Sequence, residues 1–437
     1  MPPVSTSSEK LIIEKLVYGG DGLARIQEND GRAKTVFVPF VLPGETVEAA
    51  VAEQKKGFFR GGLERVLAAS EARVAPVCPY FLRCGGCHYQ HASYETQLKL
   101  KADILRETLE RTARVSFEND IRLHASSPFE YRNRTRLHVE TAPEFRIGYF
   151  RHGSHELLEI KNCPISSPLI NRAIATLWEL GAHVPSELNG VEFFANNGDD
   201  QLLLELYVSP GTDQKKLGPL CHKLSERMPL AGVSSFVQSR EERYLAPQQP
   251  LVLCGVPAIQ YETQHASYTV SAGSFFQTNR FLTDTLVEIV TAERKGTLAL
   301  DLYAGVGLFS LALAKGFEEV IAVESAPASA RDLEVNAVAN MTVARQTTES
   351  FLAKSRRTLG PELIIVDPPR SGLGERVTTL LGKTLARELV YVSCDPATLA
   401  RDLKALIGHG WALKKLDLID LFPQTFHIES VSVLYKE

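Results

Sequence analysis

A cysteine and an acidic residue late in the chain have the types and settings of a reacting pair. Cys394 stands in Ser393-Cys394-Asp395-Pro396, directly after the apolar run Leu389-Val390-Tyr391-Val392. Asp395 fits a helix N-cap and Pro396 a first helical residue. The thiol is therefore expected between the carboxyl end of a strand and the positive end of a helix, where thiolate is favoured. Glu429 stands in Phe426-His427-Ile428-Glu429-Ser430, at the entry to the apolar run 431–435. With a methyl donor nearby, such a pair suits one chemistry. C5 of a pyrimidine is too poor a nucleophile to take a methyl cation. Addition of a thiolate at C6 makes C5 an enolate carbon that can take it. The C5 proton must then leave to a base. Glu429 is the candidate base and His427 its rival.

A crevice for the donor is written in the preceding strand ends. Residues 297–437 alternate strand-like and helix-like runs, the mark of a doubly wound α/β sheet. An apolar strand that includes Leu298 ends in Asp301, and Leu302-Tyr303-Ala304-Gly305-Val306-Gly307-Leu308-Phe309 follows with a glycine turn. Such a glycine turn lets a ligand approach the backbone at the carboxyl end of a strand. The following helix is expected to run on to Gly316 as its C′ residue. Glu324 closes the next apolar run, where an acid can bind both ribose hydroxyls of a nucleoside. The dinucleotide fingerprint lacks its third glycine, since Phe309 or Ser310 stands in its place, which weighs against a nicotinamide cofactor. The Asp-x-x-x-Gly-x-Gly form instead resembles motif I of S-adenosylmethionine-dependent methyltransferases. Asp367-Pro368-Pro369 closes a third run with a rigid lip. Amino-group methylases can carry the same tripeptide, so it leaves the acceptor atom open.

Three motifs together resemble the RNA uracil-C5 methyltransferase family, which makes 5-methyluridine. They are Ser-Cys-Asp-Pro at Cys394, His-Ile-Glu-Ser-Val at Glu429, and Ser274-Phe275-Phe276-Gln277-Thr278-Asn279. The resemblance implies Gln277, Tyr303, Glu324 and Asp367 as contacts to S-adenosylmethionine. It also implies Cys394 as nucleophile and Glu429 as proton acceptor. Relatives often carry Asn where this chain has Leu308, so that contact is expected to be absent or replaced by backbone. A further contact falls near Glu349 or Ser350.

Cys78, Cys84 and Cys87, with Cys163 as a distant fourth, form a metal-like spacing. Four thiolates suit zinc or an iron–sulfur cluster, and His88 and His91 make a mixed zinc site conceivable. The pattern resembles the cluster ligands of the ribosomal-RNA members of the family, which implies a [4Fe-4S] centre. A cluster protein that only binds RNA or senses redox state is the non-catalytic alternative. Cys221 and Cys254 read as buried, inert thiols, because seven unevenly spread cysteines in a large chain argue against disulfides.

Residues 9–67 read as short strands with turns, a small barrel resembling the RNA-binding TRAM domain at Gly19-Gly20-Asp21-Gly22-Leu23-Ala24-Arg25. Lys55-Lys56-Gly57-Phe58-Phe59-Arg60 interleaves cations and aromatics, which suits phosphates and bases. Arg132, Arg134 and Arg136 share one strand face and are expected to track phosphates. The boundaries expected are 1–69 for the barrel, 70–262 for a strand-rich central iron–sulfur domain, and 263–437 for the methyltransferase domain. A helix over 94–114 packs on the last of these. The partner implied is RNA, large-subunit ribosomal RNA before transfer RNA. The target uracil must leave its stack to meet Cys394.

Composition is ordinary for a folded protein. With 48 Lys and Arg against 52 Asp and Glu, the 437 residues carry a net charge of −4, which excludes a uniformly basic binder. No apolar run reaches the ~18 residues of a membrane span, and no secretory signal opens the chain. A cytoplasmic monomer is expected.

Overall fold

A computed structural model describes residues 7–27, 33–55, 57–115, 117, 120–237, 250–355 and 360–436. Lys56 of the basic–aromatic run lies outside the described residues. Near the N-terminus six strands pair in the order Ser7–Ile12, Thr46–Lys55, Phe58–Ala68, Ala33–Pro39, Asp21–Gln27, Lys15–Leu16. Period-two alternation turns Val36 and Val38 inward, where they meet Ala24, Val47 and Ala49, with Leu11 and Ile13 from the first strand side. The first strand and Asp21–Gln27, one strand in from the far end, thus share one core. Arg60 of the basic–aromatic run is paired with Asp21 at 3.1 Å.

The central region is a seven-stranded, mostly antiparallel sheet running from Leu157–Glu159 to Leu251–Gly255. Its strand Leu202–Val208 is buried at every residue, and helices Pro168–Glu179 and Gly218–Ser225 share its core. Cys221 and Cys254 are joined in a disulfide that ties the second helix to the strand Leu251–Gly255, correcting the expectation of two inert thiols. Composition counts cysteines but cannot see that a helix is laid against this strand.

The third sheet has eight strands. Met341–Arg345, Phe317–Glu324, Gly296–Leu302, Leu363–Val366 and Glu388–Ser393 are parallel. Glu429–Lys436 then runs antiparallel, followed by Trp411–Ile419 and by Arg122–His124 at the edge. Alternate residues supply opposite faces. Ile364, Val366, Leu389 and Tyr391 pack with Leu399, Leu403 and Leu406 on one side. Leu363, Ile365, Val390 and Val392 pack with Leu286, Val287 and Val290 on the other. Helix Tyr94–Thr108 joins the first of these cores through Ile104 and Leu105.

The helix after the glycine turn spans only Ser310–Leu313. Gly316 is not a left-handed cap; it is small because a Cβ there would lie 2.5 Å from the Arg294 carbonyl oxygen. Among the described residues no helix is long and apolar enough to cross a membrane.

Candidate active site at the carboxyl edge of the eight-stranded sheet

The strand order reverses between Gly296–Leu302 and Leu363–Val366, and ligands of such sheets bind at that crevice. Here the backbone turns left-handed at Tyr303, with φ 66°, then at Gly305 and Gly307. An aromatic residue in that region is strained, a condition that clusters at functional sites. A Cβ on Gly305 would meet open space. Glu324 folds over this turn and accepts from the Gly305 N–H at 2.8 Å and from the Ser325 and Ala326 N–H groups at 2.6 Å. Asp301 lies buried beneath and accepts from the Ser310 hydroxyl. Burial raises its carboxyl to about 7. Asp367 follows Leu363–Val366, and burial with the Asp301 charge raises it also to about 7.

Gln277 is buried, between Phe276 in the core and a segment fixed by Asn279. Asn279 donates to the Leu421 carbonyl at 3.2 Å and accepts from the Phe281 and Leu282 N–H groups. The preceding hairpin is moored to the glycine turn, since the Tyr268 hydroxyl donates to the Leu308 carbonyl at 2.9 Å. The Leu308 side chain itself lies in the apolar core. Glu349 is paired with Arg376 at 2.8 Å.

Cys394 and Glu429 emerge side by side. Ser393 is registered against Ser430 across antiparallel strands, so the next residue on one strand and the previous one on the other face each other. Burial, then the Asp367 charge, hold the Glu429 carboxyl well above its usual range, with Arg370 opposing. Burial and the Glu429 and Asp367 carboxylates push the Cys394 thiol up to about 12. This corrects the expectation of a lowered pKa. The helix N-terminus is already occupied: the Asp395 carboxylate accepts from the Ala397 and Thr398 N–H groups at 3.0 and 2.8 Å. The positive end therefore serves Asp395 rather than the thiol. His427 is a poor base here. Arg370 donates to its Nε2 at 3.4 Å, and burial with that guanidinium pushes it down to about 3.

The segment leading to Glu429 is held from several sides, none of them evident in the sequence. Gln424, left-handed at φ 69°, offers its carbonyl to the His88 and Tyr89 N–H groups at 2.8 and 2.9 Å. Its side chain accepts from Gln97 at 3.0 Å, and the Tyr131 hydroxyl donates to the Pro423 carbonyl at 3.0 Å. Lys101 and Asp420 form a buried ion pair at 2.6 Å just before it.

Cys78, Cys84, Cys87 and Cys163 line one cavity of about 60 Å³ with Phe81, Ile160, Ile165 and Arg132. All four are free thiols. Burial raises Cys84 to about 11 and raises Cys78 and Cys87 as well. The Cys78 N–H donates to Gln90 at 3.0 Å and the Cys163 N–H to Asn171 at 2.8 Å, fixing both loops. His88 and His91 do not line this cavity. His88 packs on Phe426 at 4.6 Å, and His91 is bonded to the Val41 carbonyl at 3.3 Å. Among the described residues no three His, Cys, Asp or Glu side chains converge closely enough to hold a metal ion.

The expected phosphate-tracking row is corrected. Arg134 is nearly buried and paired with Glu192 and with Glu205, the latter at 3.0 Å. Arg136 stacks over Tyr207 at 3.5 Å. Alternation put these residues on one face but could not show that acids and an aromatic cover it.

The model of the tRNA (Uracil-5-)-methyltransferase family matches residues 93–437, and that of the TRAM domain matches 9–63. An uncharacterized RNA methyltransferase of Aquifex aeolicus is 34% identical over 97% of this chain and 98% of its own. The 23S rRNA (uracil(1939)-C(5))-methyltransferase RlmD of Pseudomonas putida is 33% identical over 97% of this chain and 93% of its own. That of Halomonas elongata is 32% identical over 98% and 90%. Among solved structures, the Pyrococcus abyssi tRNA (uracil-54, C5)-methyltransferase in complex with S-adenosyl-L-homocysteine superposes with a TM-score of 0.74. It covers 98% of this chain and all of that one at 24% identity, a likeness of fold. With the strand ends that carry Cys394 and Glu429 inside the matched span, this chain belongs to the tRNA (Uracil-5-)-methyltransferase family.

Proposed function

We propose that the protein methylates uridine at C5 in RNA, with 23S ribosomal RNA as substrate and S-adenosylmethionine as donor. The observation that carries the reading is the pairing of Cys394 with buried Glu429 across adjoining strand ends, beside Asp367. The donor supplies an electrophilic methyl group on a sulfonium. Tyr303, Glu324 and Asp367 at the strand ends, with Gln277, are assigned to hold it. Several buried carboxyls in one crevice suit a cationic ligand, whose charge offsets their desolvation.

Cys394 gives up its thiol proton to solvent and adds as the thiolate to C6 of a uracil turned out of its stack, and C5 becomes nucleophilic. After the methyl group is on C5, Glu429 takes the C5 proton, the C6–sulfur bond breaks, and the thiolate is released. A carboxyl with a raised pKa is a stronger base once ionised, which suits Glu429 to this step. Full-length likeness to enzymes named for uracil in 23S rRNA supports the ribosomal substrate.

The four-cysteine cavity is assigned to a [4Fe-4S] cluster. A single zinc ion needs its sulfurs about 2.3 Å away on all sides, and no such convergence is present among the described residues. A cuboidal cluster takes one thiolate per iron, so it asks for thiols spread around a small apolar cavity. Methyl transfer moves no electron, so the cluster's role is to order the 78–91 loop. Residues 1–69 and 70–262 are assigned to grip RNA, and 263–437 to the chemistry.

The test is transfer of labelled methyl from S-adenosylmethionine to unmodified ribosomal and transfer RNA, followed by nucleoside mass spectrometry. 5-Methyluridine in 23S ribosomal RNA is expected. In transfer RNA alone, it keeps the chemistry and overturns the substrate. A methyl group on a base nitrogen overturns both.

A further inference from the structure

One side chain of the N-terminal barrel reaches both loops that carry the reacting pair. Tyr18 follows the strand Lys15–Leu16 and precedes the turn at Gly19 and Gly20, whose φ values are 111° and 95°. Its hydroxyl donates to the main-chain carbonyl of Cys394 at 3.4 Å. Its ring meets Phe426 edge-on at 5.5 Å, three residues before Glu429.

The turn is fixed in place. A Cβ on Gly20 would come within 3.2 Å of His88, in the cysteine loop. Leu16 is buried in the same core as Leu399 and Leu403 of the helix that follows Cys394. Lys15 is paired with Glu107 of the helix Tyr94–Thr108. Burial and the Asp395 carboxylate raise the Tyr18 phenol, so it stays a neutral donor.

We infer that Tyr18 is a positioning residue that sets Cys394 relative to Glu429, so that the barrel forms part of the active site as well as an RNA grip. The hydroxyl fixes the nucleophile's backbone, while the ring fixes the segment that delivers the base. The inference rests on the proposed uridine chemistry.

The test uses the full-length protein, S-adenosylmethionine, and 23S ribosomal RNA transcribed with 5-fluorouridine. Fluorine cannot leave as a cation, so the methylated adduct stalls on Cys394 and can be counted. Tyr18→Phe keeps the ring and loses the hydroxyl. It is expected to slow adduct formation at saturating RNA by about tenfold, the worth of one hydrogen bond. The KM for RNA and the melting temperature should stay at wild-type values. Tyr18→Ala should be about tenfold slower again, because the Phe426 contact is also lost. Wild-type rates at saturating RNA in Tyr18→Phe, or a change confined to KM, overturn the inference and leave the barrel as a grip only. Absence of adduct in the wild-type protein overturns the proposed reaction on 23S ribosomal RNA instead, which keeps the two failures distinct.

Discussion

Cys394 and the four cysteines of the central domain share a functional group and little else. Cys394 faces Glu429 and Asp367, and those carboxylates together with burial hold its proton on. The other four face one another and the side chains of Phe81, Ile160 and Ile165, without a carboxylate in the cavity wall. A thiol beside a base is equipped for a reaction cycle, in which a proton moves and returns. Thiols gathered without a base are equipped to be ligands, held by one another's shared guest. Neighbours, more than the residue, decide which of the two a cysteine becomes.

The comparison breaks most sharply at Cys394. Cys394→Ala is expected to reduce methyl transfer below detection and to abolish the 5-fluorouridine adduct. Any adduct in that variant places the nucleophile elsewhere. Glu429→Gln is expected to methylate once and then hold its product. Steady-state turnover should fall by about 10²–10⁴-fold while the first-turnover burst survives, as rapid-quench kinetics would show.

Cys163→Ser sharpens the other half. Purified protein should lose its iron, read by metal analysis, and its melting temperature should drop by more than about 5 °C. Wild-type protein without iron or sulfide in stoichiometric amounts would sink the ligand assignment.

The smallest effect concerns ionisation alone. Iodoacetamide labelling of Cys394, followed by peptide mass spectrometry against pH, should give a midpoint near 12 in the unliganded protein. Removing a negative neighbour stabilises thiolate, so Asp367→Asn should move that midpoint down.

Much of the catalytic edge was legible because its signals are local. An apolar run ending in Glu324, Asp367 or Ser393 gives both the strand and the place where it stops to within a residue, and the strand expected to end at Asp301 runs one residue further, to Leu302. Asp395 and Pro396 likewise announced the helix Pro396–Gly408. What failed was reading across distance. The raised Cys394 pKa comes first from burial and then from Glu429, which faces it only after two strands pair, while Asp395 takes the helix cap for itself. Arg134 has the spacing of a surface cation, but Glu192 and Glu205 arrive from other strands to bury it. Tyr18 and Gln424 carry no motif at all. Each matters through partners hundreds of residues away, which periodicity cannot report.

The antiparallel last strand has a consequence for the order of synthesis. Glu429–Lys436 lies between Glu388–Ser393 and Trp411–Ile419, both made before it. The ribosome thus delivers the middle of the sheet after its flanks, and delivers the proposed base in the same stretch. Until that strand slides between its neighbours, Cys394 stands at the rim of an unfinished sheet with Asp367 nearby and Glu429 not yet opposite. On the proposed chemistry, a nascent chain in that state lacks the base that releases the product, so it cannot complete a turnover.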